Sequence, residues 1–407
     1  MLVKAALSSL LLAASFADAS PVKLDTRSDD AVATGLTARS SAATLSQLLN
    51  TEFTVPAPLV KTRGKKIRRA NAVGNNVRIK NSKVQGATLY TVELDIGTPA
   101  QTVVALPDTG SADLLVPSRQ YDYKKTSTGH YYFRNTTFNF VTGSFRGVPT
   151  TDKVSILPGQ NVSQWFGLTA EMPYGIMGLS FQSLASLAKP TFSSLVSSGQ
   201  IAAAKFGLFL SRFPSATGYL TLGAFNSNFY TGTVTTLANV ASNRWALLMT
   251  GYTVDGASAA TSTATIIDSG SIQSYVPKTI AAAIFKAIPG AYLDPEPQTV
   301  SLNGQDYVID NYIYPCNSTL SPGFSFYGGG STQFTFNPLD YNLQTIDSKN
   351  CYASIMGVDI ELNGTPAALL GSDFLRSWYG MFDFANAAFN NAPTIAFAKT
   401  PEWIREL

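Results

Sequence analysis

"DTGSADLLVP" (Asp108–Pro117) and "DSGSIQSYVP" (Asp268–Pro277) lie 160 residues apart and share Asp, Gly, Ser, Val and Pro at matching positions. Each follows an apolar run that reads as a strand, "TVVALP" before the first and "TATII" before the second. A strand ending at Asp-x-Gly presents a carboxylate at a tight turn, and Gly110 and Gly270 allow a facing backbone to come close. Thr109, Ser111, Ser269 and Ser271 surround each acid with hydroxyls. Further on, Ile176-Met177-Gly178 and Leu369-Leu370-Gly371 repeat an apolar pair closed by glycine. The chain thus contains two related units, and a two-fold axis between them would bring the carboxylates of Asp108 and Asp268 face to face. Two carboxylates at hydrogen-bond distance share one proton. One can then act as general base on a water while the other donates a proton to a carbonyl oxygen. A lone Asp-Thr-Gly-Ser suits many surface turns; the duplicated context carries the reading.

The composition excludes other classes. Of 407 residues, 45% are hydrophobic and 14% charged, which fits a folded protein with substantial cores. The net charge of +3 is concentrated at the front: residues 20–69 hold nine Lys/Arg against four Asp/Glu, and the remainder from Ala70 is slightly acidic. No electrostatic case for a nucleic-acid partner exists. Lys4 followed by "AALSSLLLAASFA" and the small residues at 17–19 reads as a secretory signal peptide, residues 1–19. Residues 20–69 then read as a basic propeptide, with "KTRGKKIRR" as a dibasic processing site before Ala70. The body divides into an N-terminal lobe, 70–211, and a C-terminal lobe, 212–407. The C-terminus has no hydrophobic tail, so no membrane anchor is expected and the mature protein is expected outside the cell. There Cys316 and Cys351, the only cysteines, form a disulfide by default. Asn135, Asn161, Asn317 and Asn363 head sequons that such a compartment permits to carry glycans. A single histidine, His130, cannot supply a zinc site and gives a serine triad no second support, so no metal and no cofactor are expected. Gly and Pro punctuate the body at short intervals, as all-β hairpins require. Helices are expected at "KTIAAAIFKAI", "SFQSLASLA" and "SDFLRSWYG".

From "LYTVELDIGTPAQTVVALPDTGSADLLVPS" to "LLGSDFLRSWYGMFDFANAAFNNAPTIAFA" the body resembles the pepsin-like aspartic proteases, especially secreted fungal ones. The resemblance implies an all-β, bilobal fold of two pseudo-two-fold related lobes with few short helices, a monomer binding an extended peptide in the cleft between them. It implies Asp108 and Asp268 as the catalytic pair, with Ser111 and Ser271 as hydroxyls bonded to the carboxylates. Thr109 and Ser269 match the hydroxyls that tie the turns across the axis, and Cys316–Cys351 looks like the C-terminal-lobe disulfide. A hairpin flap matches residues 138–147, and Phe138, Phe140, Val141, Thr142 and Gly143 are its expected substrate-facing residues. Four positions depart from the family pattern: Pro107 before the acid, Leu115 where a tryptophan is usual, Phe140 where a tyrosine is usual, and Val141 where a glycine is usual. Leu115 and Phe140 together remove both partners of one hydrogen bond, which can be nearly neutral for stability. The function implied is a secreted endopeptidase working at acidic pH. The alternative is a binding or inhibitory protein that keeps the scaffold with little catalysis.

Overall fold

A computed structural model describes residues 75–84, 87–133, 136–140, 143–187, 189–213, 216–254, 256–302, 305–362 and 365–401. The expected signal peptide and propeptide lie outside the described residues. Within them the chain is strand-rich, with three α-helices, as the all-β reading expects. In Gln101–Asp108 the alternation turns Val103 and Ala105 inward, where both are fully buried. Lys278–Lys286 forms the clearest expected helix and buries Ile280, Ala281, Ile284 and Phe285 along one stripe. The other two helical expectations need correction. "SFQSLASLA" yields only the short 3₁₀ turn Gln182–Leu184, because the N–H groups of Ser186 and Leu187 donate to the Asp113 carboxylate (2.8 and 2.9 Å) instead of to the preceding turn. "SDFLRSWYG" is helical only over Ser372–Ser377; from Trp378 the chain is strand, because Trp378–Asn386 pairs on both sides. Thr191–Ser197 is a helix that periodicity did not indicate.

Two large sheets carry the architecture. In the fourteen-stranded one, Ala392–Lys399 and Trp378–Asn386 pair next to Lys205–Phe209, with Phe206 opposite Phe382. The same sheet continues through Gly218–Leu222, Asn76–Val84 and Ala87–Ile96 to Gln101–Asp108. The last strands of the chain are therefore built into the sheet of the first unit. The eight-stranded sheet holds Ala257–Ile267, Thr365–Leu370 and Ser274–Val276. Trp245 joins the two units. Its ring packs among Phe181, Phe206, Phe382 and Phe384, and its Nε1–H donates to the carbonyl of Leu179 (3.0 Å). A buried indole with its one donor satisfied supplies apolar area and orientation together. Cys316 and Cys351 are bonded, closing a loop beside the paired strands Tyr312–Pro315 and Asn350–Ala353. No helix among the described residues is long and apolar enough to cross a membrane.

Candidate active site

The two quoted decapeptides occupy equivalent places. Gln101–Asp108 runs parallel to Gly175–Gly178, and Leu114–Pro117 returns antiparallel on the other side of that strand. In the second unit Ala257–Ile267 runs parallel to Thr365–Leu370, and Ser274–Val276 returns antiparallel beside it. Each acidic turn therefore wraps around the strand that ends in the repeated apolar-apolar-glycine. The glycines are required there. A Cβ on Gly178 would collide with the backbone of Ala112, and one on Gly371 with the carbonyl of Gln273.

Across the axis the turns are laced by four hydrogen bonds with matching roles. Thr109 N–H donates to Ser269 Oγ (3.0 Å), and Ser269 N–H donates to Thr109 Oγ1 (2.9 Å). Thr109 Oγ1–H donates to the carbonyl of Ile267 (2.8 Å), and Ser269 Oγ–H to the carbonyl of Pro107 (2.6 Å). Pro107 serves here because this lattice uses only its carbonyl; the N–H that proline lacks is not called on. The lattice sets each carboxyl against the opposite glycine: Asp268 Oδ1 would stand 2.6 Å from a Cβ on Gly110, and Asp108 is as crowded against Gly270. Only hydrogen fits at these positions.

Asp108 and Asp268 are both fully buried and in hydrogen-bond contact with each other. Asp108 Oδ1 accepts from Gly110 N–H (2.8 Å) and Asp268 Oδ1 from Gly270 N–H (2.9 Å). Burial first, and the neighbouring Asp268 carboxyl second, hold Asp108 well above the ordinary carboxylate range, against the lowering effect of Ser111 and Gly110. The outer hydroxyls diverge. Ser111 donates to Asp108 Oδ2, whereas Ser271 donates to the carbonyl of Gln273 (2.8 Å) and not to its own acid. That carbonyl lies two residues along the same turn, against Gly371.

The flap reads differently from expectation at its root. Thr136–Phe140 pairs with the start of Gly143–Leu157, putting Phe140 opposite Gly143. Phe138 is not substrate-facing: it is fully buried with Leu115, Ala112, Met172, Ile176 and Leu184. Its ring lies on Gly147 and Gly167, and Leu115 fills the adjoining space above Gly167. Leu115 and Phe138 together thus fill the space over Gly167. Val141 and Thr142 lie outside the described residues, as do the sequon residues Asn135 and Asn363; Asn161 and Asn317 are exposed. His130 is an exposed residue of the short strand His130–Tyr131.

Sequence reading passed over two acids. Asp113, inside the first decapeptide, anchors the loop at Ser186 and Leu187. Asp373, in the short helix after Gly371, accepts four hydrogen bonds beside the second turn. The available signal was a carboxylate within an apolar run, "LLGSDFL".

A profile of the family described as "Eukaryotic aspartyl protease" matches residues 89–394. An "Aspartic protease" of Phaffia rhodozyma is 29% identical over 81% of this chain and 83% of that protein. "Pepsin A" of Sus scrofa is 27% identical over 75% of this chain and 81% of its own length. "Cathepsin D" of Dictyostelium discoideum is 28% identical, covering 80% of this chain and 88% of that protein.

Proposed function

Because this chain belongs to the eukaryotic aspartyl protease family, we propose that it is an aspartic endopeptidase in which Asp108 and Asp268 are the catalytic pair. The observation that carries this reading is the contact between the two buried carboxyls across the four-bond lattice. The pair shares one proton, as aspartic-protease dyads do in general. Its ionised member takes a proton from a water placed between the carboxyls. That water attacks the scissile carbonyl carbon, while the protonated member donates to the carbonyl oxygen. The resulting tetrahedral intermediate collapses with proton transfer to the amine, which leaves. Water supplies both the hydroxyl of the new acid and the hydrogen of the amine, and no covalent enzyme intermediate forms. The raised proton affinity of Asp108 favours this singly protonated state in acid, so an acidic working range is part of the proposal.

We further propose that the active form begins after the basic leader. Secretion and cleavage after Arg69 belong to the same reading. The test is expression of the full chain in a secreting host, sequencing of the product's N-terminus, and degradation of a denatured protein in acid. A product beginning at Ala70 is expected. Its cutting should fall about 10²–10⁴-fold in each of Asp108→Asn and Asp268→Asn. Cutting that survives both substitutions refutes the assignment, and tight binding of pepstatin without cutting identifies a binding protein instead.

A further inference from the structure

A carboxylate stands behind each catalytic turn, half-buried in the first unit and fully buried in the second, and the two units supply it from different places. In the first unit it is Asp113, five residues after Asp108, which takes the N–H groups of Ser186 and Leu187. Five residues after Asp268 stands Gln273, whose carbonyl receives the Ser271 hydroxyl and whose Oε1 receives the Tyr275 hydroxyl (2.8 Å). An amide already engaged in this way anchors nothing outside the turn. Asp373 reaches in from the other side. It is fully buried; Oδ1 accepts from Ser274 Oγ (2.6 Å) and Phe374 N–H (2.8 Å), and Oδ2 accepts from Ser354 Oγ (2.7 Å) and Ser274 N–H (3.1 Å). Ser274 Oγ in turn accepts from Gly371 N–H (3.1 Å). Both the main chain and the side chain of Ser274, the residue that ends the Asp268 turn and opens Ser274–Val276, are therefore held by one carboxylate.

We propose that Asp373 is a positioning residue for the reaction: it clamps the exit of the Asp268 turn to the Gly371 strand end and to Ser354, and so sets where Asp268 stands opposite Asp108. The lattice of Thr109 and Ser269 fixes the entrance of that turn. Ser372 N–H, donating to the carbonyl of Ser271 (2.7 Å), fixes its middle. Asp373 fixes the exit, which in the first unit falls to Asp113. A turn pinned at all three points keeps its carboxyl within the narrow tolerance that proton transfer demands, and a misplacement of ~1 Å costs ~10²-fold in rate. The inference rests on the assignment of the dyad.

The test uses the full chain, matured by the expressing host, with a peptide substrate and steady-state kinetics. Asp373→Asn keeps one acceptor and Asp373→Ala keeps none. Both should lower kcat by ~10–100-fold with KM within about twofold, alanine being the worse. Amide hydrogen exchange should speed up across Ser271–Ser274 and stay unchanged across Ser111–Asp113, which a general loss of stability would not produce. Should neither variant fold, Ser354→Ala removes a single donor and should lower kcat about fivefold. Wild-type kcat in folded Asp373→Asn, or in Ser354→Ala where that variant decides, overturns the proposal. An inactive wild type would strike the catalytic assignment itself.

Discussion

Removing one hydroxyl from the cross-axis lattice should be expensive out of proportion to its size. Thr109→Val deletes the Oγ1 that donates to Ile267 O and accepts from Ser269 N–H, both inside a fully buried turn. Valine nearly matches threonine in shape, so no large cavity complicates the comparison. Two buried backbone groups lose their partner, at about 1–3 kcal/mol each, giving a cost of about 2–6 kcal/mol. Ser269→Ala strands Thr109 N–H and Pro107 O in the same way, and the pseudo-symmetry predicts a loss within about 1 kcal/mol of the first. Thr102→Val is the control: its hydroxyl also makes a bond, to Asp95 Oδ1 (2.9 Å), but at an exposed site where the cost should stay under about 0.5 kcal/mol. Urea unfolding of the three variants, read from midpoints at constant m-value, measures the differences. If Thr109→Val unfolds within about 0.5 kcal/mol of wild type, the lattice does not hold the units together and the account of how the carboxyls meet is wrong.

Two other consequences follow from the same geometry. Burial pushes Asp373 up to about 6 from an ordinary 3.8, opposed by Ser274, Ser354, Arg376 and Phe374. With the folded value raised, the group is protonated in both states below the unfolded value; as pH rises toward 6 the unfolded chain ionises first, and stability falls. The loss approaches about 3 kcal/mol and is complete above the folded value. Asp373→Asn should flatten that part of a stability-against-pH curve, and an unchanged slope would show that another group governs it. Leu115→Trp, which restores the residue usual in the family, should destabilise by about 1–3 kcal/mol because Leu115 and Phe138 already fill the space over Gly167. Thermal unfolding checks this, and partial recovery in Leu115→Trp with Phe138→Ala identifies overpacking as the cause.

What could be read from the sequence was whatever depends on neighbours along the chain. The strand-Asp-x-Gly turn is local, and writing it twice supplies the one long-range fact that the fold needs, that two such turns face each other. Residues whose role is set by distant partners were not legible. Phe138 sits on a strand whose alternation leaves open which face meets Gly167, and only that meeting makes it a plug and not a substrate wall. The stretch after Ser180 has helical spacing, but Asp113, about seventy residues earlier, takes the N–H groups that a helix would use. Ser271 looks identical to Ser111 in the quoted motifs, yet it turns to the carbonyl of Gln273, whose position the motif does not encode.

These departures share a direction. Backbone pairing keeps the pseudo-two-fold relation: parallel strand, turn, antiparallel return, glycine beneath. Side chains break it, with Ser111 on its acid and Ser271 off its own, and with Asp113 behind one turn and Asp373 behind the other. Proton shuttling needs both properties. Symmetric backbones bring the two carboxyls into contact, and two identical environments would leave the shared proton with no preferred owner. In the proposed mechanism the Ser111 hydroxyl on Asp108, which Ser271 does not mirror, is one such bias, and it would let one carboxyl begin as acid while the other begins as base.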